Sequence, residues 1–164
     1  MVSLFAPSPY DVWDKYLDVY GIDGVFPVAH TALGRLACVA SEEILYPEIA
    51  RSLALRGAEV FLHSTSEVGS PSLTPKDTAK RARAFENMAY VVSANTAGIV
   101  DVDIPAHSTD GMSKIVDDQG RVMVEAGDGE SMAAFAEIDI QALRRRRERP
   151  GMGNILSRLP KDAI

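Results

Sequence analysis

The run from Leu33 to Gly57 constrains the fold of this chain most strongly. Leu33 to Ala40 is apolar apart from Gly34 and Arg35, and it stops abruptly at Ser41-Glu42-Glu43. A short apolar run of this kind predicts a strand covered on both faces. Pro47 suits the first position of a helix, where its missing N–H costs nothing, and Glu48 suits the positive end of the helix dipole. Ile49, Ala50, Leu53 and Ala54 then recur at helical spacing, and Gly57 follows the last turn as a C-terminal cap. The stretch therefore reads as strand, sharp polar turn and helix. The turn residue, Ser41, falls at the carboxyl end of a strand, where open α/β sheets place their chemistry.

Segments on either side extend this unit. Glu59 to His63 reads as the next strand, and the short connections imply a parallel strand–helix–strand crossover. Ser64 to Pro75 is a Ser/Gly/Pro-rich loop that follows a strand, so Ser66 and Glu67 are expected in a wall of the same cleft. Thr74 as N-cap, Pro75 and Asp77 open a second helix, with Ala79, Ala82, Phe85, Glu86 and Ala89 expected on one closely packed face. Tyr90 to Asn95 is a further buried strand. A loop carrying His107-Ser108-Thr109-Asp110 leads to a hairpin of Ser113–Val116 and Arg121–Val124. Met132 to Ile138 is expected as another strand, and Asp139 to Glu148 as a helix with Asp139 as N-cap. Upstream, Ser8-Pro9-Tyr10-Asp11 reads as the cap of a short helix stopped by Gly21, and Phe26 to Ala29 as a brief strand. No internal repeat or clean boundary divides the chain, so 1–164 is taken as one domain with a tail after Pro150.

Composition narrows the function. The chain of 164 residues is 46% hydrophobic and 24% charged, with a net charge of −6 and a pI near 5.0. That balance opposes nucleic acid or an anionic membrane as partner. No run of 18 apolar residues is present, and Met1 to Pro7 lacks the basic and apolar regions of a signal peptide, so a cytoplasmic protein is expected. A single cysteine excludes an internal disulfide framework. His30, His63 and His107 have no metal-ligand spacing; neither a metal nor another cofactor is expected.

The motifs, taken in order, resemble the second half of the nitrilase, or carbon–nitrogen hydrolase, superfamily from about Phe26 to Arg158. They are the elbow strand ending Tyr46-Pro47-Glu48-Ile49-Ala50-Arg51, then Arg56-Gly57-Ala58-Glu59-Val60 and Arg81-Ala82-Arg83-Ala84-Phe85-Glu86-Asn87. Val92-Ser93-Ala94-Asn95-Thr96-Ala97-Gly98, Gly111-Met112-Ser113-Lys114-Ile115-Val116, Asp118-Gln119-Gly120, and Ala136-Glu137-Ile138-Asp139-Ile140 with its Arg-rich helix follow. The resemblance implies an α/β fold, a nitrilase-like α-β-β-α sandwich of which this chain carries the second half. It also implies a homodimer or higher homo-oligomer, with the tail 150–164 packing on a partner subunit. It implies hydrolysis of a small amide, nitrile or carbamoyl compound by a cysteine nucleophile, a glutamate base and a lysine that helps hold the oxyanion.

Three departures bear on activity. The family's cysteine stands two residues before an acidic residue and six before the motif proline, which is Ser41 here. The next residue, often aromatic in the family, is Glu42. The family's base and lysine lie in the first half of the fold, which this chain is expected to lack; Lys15 has the wrong context. Ser41 has three readings: a natural change in a homologue that has lost activity, an engineered change, or a working serine nucleophile. Serine needs a matched base, since its hydroxyl is a far weaker acid than a thiol of pKa about 8.5. Around Ser41, a substrate pocket is expected from Glu42, Glu43, Tyr46, His63, Ser66, Glu67 and Asn95. Glu43 is read mainly as a residue that orients the turn. Glu86 and Asn87 are read as buried polar structure, Cys38 as a small core residue, and Arg144 to Arg147 as a solvated helix end.

Overall fold

A computed structural model describes residues 13–67, 74–101, 103, 109, 111–127 and 131–159. The expected N-terminal cap at Ser8–Asp11, the middle of the Ser64–Pro75 loop, His107, Ser108 and Asp110, and the last residues of the tail lie outside them. The described chain builds one six-stranded sheet in the order β1 to β6, with helices set mainly on one face. The strands are β1 (Ala29–Thr31), β2 (Gly34–Ala40), β3 (Val60–Thr65), β4 (Tyr90–Asn95), β5 (Lys114–Val116) and β6 (Val122–Glu125). β2, β3 and β4 are parallel, and the two hairpins, β1–β2 and β5–β6, close the edges antiparallel. The helices are α1 (Trp13–Val25), α2 (Pro47–Leu55), α3 (Pro75–Asn87) and α4 (Ile140–Glu148).

Local chemistry sets the element ends. Pro47 opens α2. At its far end Gly57, with φ +97°, donates to Ala54 O (2.8 Å), and Ala58 N–H donates to Leu53 O (3.0 Å). This is a Schellman cap that needs a left-handed residue at Gly57. Thr74 Oγ1 accepts Asp77 N–H (3.1 Å) to cap α3, and Asp139 Oδ1 accepts Ala142 N–H (2.7 Å) to cap α4. Gly21 breaks α1 with φ +64°, although one further turn follows it.

β2 alternates rather than being covered on both sides. Ala37 and Val39 are buried against α2 and α3 with Phe61, Val91, Val116 and Leu53. Cys38, on the opposite face, is exposed. The reading of Cys38 as a core residue is thus corrected. The parallel register sets Cys38 beside Leu62 and Leu62 beside Val92, and α4 covers only the amino ends of these strands. There Val60, Met88, Tyr90 and Leu143 pack with Ile138, Ile140, Ile155 and Leu156. Residues of the tail thus lie against their own chain.

Three further expectations change. Met132 to Ile138 forms no strand; it pairs with none of the six, and Phe135 stands 84% exposed. The buried face of α3 carries Asp77, Ala79, Lys80, Arg83, Ala84 and Asn87, while Phe85 faces solvent. That face is chosen by polar anchors: Arg83 donates to the carbonyls of Ile44 (3.0 Å) and Leu45 (3.4 Å) and pairs with Glu86 (2.5 Å). Apart from the exposed Arg145, the arginine run on α4 is a clamp, not a solvated end. Arg144 holds Glu59 bidentately (2.6 and 2.9 Å) and Arg146 holds Asp118 the same way (2.8 and 2.6 Å). Arg147 donates to the carbonyls of Ala58 (2.7 Å), Met88 (3.0 Å) and Asn87 (3.1 Å).

Candidate active site

The carboxyl ends of β2, β3 and β4 meet the amino end of α3, and most of the expected site residues converge there. β2 ends at Ala40, and the chain turns through a 3-10 segment, Ser41–Leu45, into α2. Ser41 has φ +42°, a left-handed conformation unusual for a residue with a Cβ. Two side chains hold this turn. Glu43, 2% exposed, folds back so that its Oε2 accepts the Ala40 N–H at 2.8 Å. His63, also 2% exposed, donates from Nε2 to the Ser41 carbonyl at 3.0 Å. A carbonyl only accepts, so Nε2 carries the hydrogen and Nδ1 accepts from the Ser93 hydroxyl at 2.9 Å. Burial pushes the His63 pKa down to about 4, helped by nearby Lys80 and Lys76. The ring is therefore a neutral structural donor near pH 7. Glu43 and His63 brace the elbow from behind.

On the open side lies a cleft of about 280 Å³, lined by Glu42, Leu45, Ser66, Glu67, Thr74, Pro75 and Lys76. Sequence reasoning missed Lys76. It stands in the first turn of α3, and its Nζ lies 3.4 Å from Ser41 Oγ, 3.4 Å from Thr65 Oγ1 and 2.5 Å from Glu42 Oε1. A signal was there to read: a lysine at the positive end of a helix dipole is electrostatically misplaced unless an acid holds it. Lys80, one turn on, is buried and bonds Glu67 at 2.5 Å. Burial raises the Glu67 pKa, but the bond and charge of Lys80, with the Thr74 hydroxyl (2.9 Å) and Lys76, lower it further, so it ends below the ordinary carboxylate range. Glu67 is thus held as an anion.

Asn95 ends β4 as a bracket. Its Oδ1 accepts Glu67 N–H (2.8 Å) and its Nδ2 donates to Gly111 O (2.8 Å), tying the loop after β3 to the segment before β5. Tyr46, 44% exposed, caps α2 and does not line the cleft. Among the described residues, no cluster of histidine, cysteine or carboxylate side chains could hold a metal ion, and no helix is long and apolar enough to cross a membrane. Chemically, the arrangement offers a hydroxyl beside a cation and an exposed carboxylate, next to a small polar cleft.

Comparison with known proteins bears on the whole constellation. The family model for carbon–nitrogen hydrolase matches residues 2–148. The nitrilase and fragile histidine triad fusion protein NitFhit of Caenorhabditis elegans is 31% identical over 148 residues, which are 90% of this chain and 32% of that protein. Its crystal structure superposes with a TM-score of 0.70 at 29% identity, over 84% of this chain and 32% of the other. The 2-oxoglutaramate amidase of Bacillus subtilis is 33% identical over 126 residues, 77% of this chain and 45% of its own. A glutamate-to-glutamine mutant of the amidase from Nesterenkonia sp. AN1 carries the acetamide moiety of fluoroacetamide at its active site cysteine. It matches with a TM-score of 0.54 and 29% identity, over 62% of this chain and 36% of its own. The chain therefore spans about a third to a half of the length of these relatives.

Proposed function

The chain belongs to the carbon–nitrogen hydrolase family, and from that premise we propose that Ser41 occupies the nucleophile position of a site for a small amide, nitrile or carbamoyl compound, with weak or no turnover by this chain. The observation that carries the reading is the backbone of Ser41: a positive φ of 42° at the carboxyl end of a parallel strand, held by His63 and Glu43. Strain of that kind persists where the surroundings over-determine it, and it projects the side chain out of the sheet.

The chemistry follows the residue type. With an amide, the nucleophile at position 41 gives up its proton as it adds to the substrate carbon, the C–N bond breaks with that proton delivered to the nitrogen, and water then releases the acid and restores the nucleophile. With oxygen in place of sulfur, the first step needs a base. The partner that meets the Ser41 hydroxyl is the Lys76 ammonium, which donates and cannot accept. That contact favours the second reading, a non-catalytic homologue that keeps the cleft for binding or assembly. In either case we propose a small-molecule ligand, a reaction route without a cofactor, a cytoplasmic location and a homo-oligomeric state.

Ammonia release from simple aliphatic amides tests the proposal. We expect the native chain to stay at the background set by Ser41→Ala, and Ser41→Cys to rise above it. Release by the native chain well above background, abolished by Ser41→Ala, would overturn the weak-turnover reading. A silent Ser41→Cys chain would favour the non-catalytic one.

A further inference from the structure

The contact between α3 and the elbow carries a step that rests on reading position 41 as the nucleophile position. We propose that Lys76 is the cationic partner of that position: it holds the side-chain atom of residue 41 by a charge-assisted hydrogen bond and favours its deprotonated form.

Four observations carry this. Lys76 Nζ lies 3.4 Å from Ser41 Oγ, at the long limit of a hydrogen bond. Its side chain is only 12% exposed, so its charge is poorly screened. Its counter-ion, Glu42, is 56% exposed and therefore well screened. Finally, the cation stands at the amino end of a 13-residue helix, where the dipole disfavours it and the Glu42 carboxylate of the elbow, with the Thr65 hydroxyl, holds it.

The other charged and titratable groups around residue 41 do not cancel this field. Glu43, on the elbow itself, turns away to the Ala40 N–H. His63 of β3 faces the Ser41 carbonyl and is neutral above about pH 4. Glu67, after β3, and Lys80, on α3, bond each other at 2.5 Å and balance in charge. Lys76 and Glu42 remain, the first the more buried. A thiolate or alkoxide beside a poorly screened ammonium is stabilised, and its conjugate acid is strengthened. Lys76 lies on α3, after the elbow in the sequence, so this cation comes from within the chain.

The test replaces oxygen by sulfur, because a thiol reports its own ionisation. In the full chain carrying Ser41→Cys, the exposed Cys38 on the other face of β2 is mapped separately from the introduced thiol. Alkylation by iodoacetamide is followed at both thiols by peptide mapping from low to high pH. The thiol introduced by Ser41→Cys is expected to titrate about one pH unit below an ordinary thiol of about 8.5. Adding Lys76→Met removes the gap and slows its alkylation about ten-fold at pH 7, whereas Lys76→Arg keeps part of it. Glu42→Gln, an exposed substitution that leaves the fold alone, moves the titration lower still by freeing the cation. An unchanged profile in Lys76→Met overturns the proposal. So does a Glu42→Gln profile that stays put or moves up, and this arm decides alone if Lys76→Met does not fold. Amide turnover enters nowhere. A chain that hydrolyses nothing leaves this result standing, and a profile blind to Lys76 leaves the amide reading standing.

Discussion

The ring of His63 holds the carbonyl of Ser41, Nε2 to O at 3.0 Å, and so ties the turn after β2 to the neighbouring strand β3. The bond requires a hydrogen on Nε2; burial keeps the ring neutral, so Nδ1 accepts from the Ser93 hydroxyl. This makes the elbow acid-sensitive in a defined direction. Burial lowers the folded pKa to about 4, from 6.5 in the unfolded chain. Between these values the unfolded state binds a proton that the native state refuses, so stability is complete above about 6.5 and is lost as pH falls toward 4. The full loss is roughly 3 kcal/mol at about 1.4 kcal/mol per unit. Urea unfolding at pH 7 and pH 4.5 is expected to show most of it in the native chain and much less in His63→Gln. Equal losses in both chains would remove His63 from the account.

Ser41 also stores strain. A left-handed residue with a Cβ costs about 1–2 kcal/mol, part of which glycine relieves. Ser41→Gly is therefore expected to raise stability by about 1 kcal/mol while deleting the side chain the site is built around. A denaturant midpoint below that of the native chain would mean that the hydroxyl contact to Lys76 outweighs the strain.

Arg147 anchors α4 to the rest of the fold through three backbone carbonyls. Charge-assisted bonds contribute about 1.5–3 kcal/mol each and are not additive, so Arg147→Met is expected to cost roughly 3 kcal/mol in chemical unfolding. Arg145 is a useful control: it is largely exposed and lies 3.9 Å from Asp139, so Arg145→Met should cost well under 1 kcal/mol. Similar costs for the two would contradict the clamp.

These contrasts show where the sequence was legible. The elbow could be read because each signal there is local: Pro47 starts α2, the glycine at 57 ends it, and an apolar run stops at Ser41. The caps Thr74 and Asp139 were legible for the same reason. What stayed hidden depends on contacts between distant segments. Cys38 and Val39 are both apolar in the sequence, and only the packing of α2 and α3 decides which one is covered. Met132 to Ile138 has the composition of a strand but no partner strand among the six. Arg144, Arg146 and Arg147 read as a surface run until Glu59, Asp118 and the carbonyls at residues 58, 87 and 88 are brought to them across 28 to 89 residues of chain. Lys76 belongs to this group, since its meaning comes from Ser41 and Glu42, 35 and 34 positions away.

The open face of the sheet bears on assembly. Cys38 and Leu62 are exposed beside one another at the centre of the sheet, with Val92 half-buried next to them. Contiguous apolar surface on a sheet favours association. Sedimentation is expected to show a species larger than the monomer at high concentration, and Leu62→Glu to shift it toward the monomer. A sharp monomer peak for the native chain would count against the homo-oligomer.

The central claim is that residue 41 holds the nucleophile position. It is tested most directly by incubating the Ser41→Cys chain with fluoroacetamide, the reagent that labels the active site cysteine of the Nesterenkonia amidase. The adduct is then located by peptide mass mapping. The account predicts modification at residue 41 before the exposed Cys38 at pH 7, a preference that excess acetamide suppresses by competing for the cleft. Modification of Cys38 first, or of both thiols at equal rates, would contradict it.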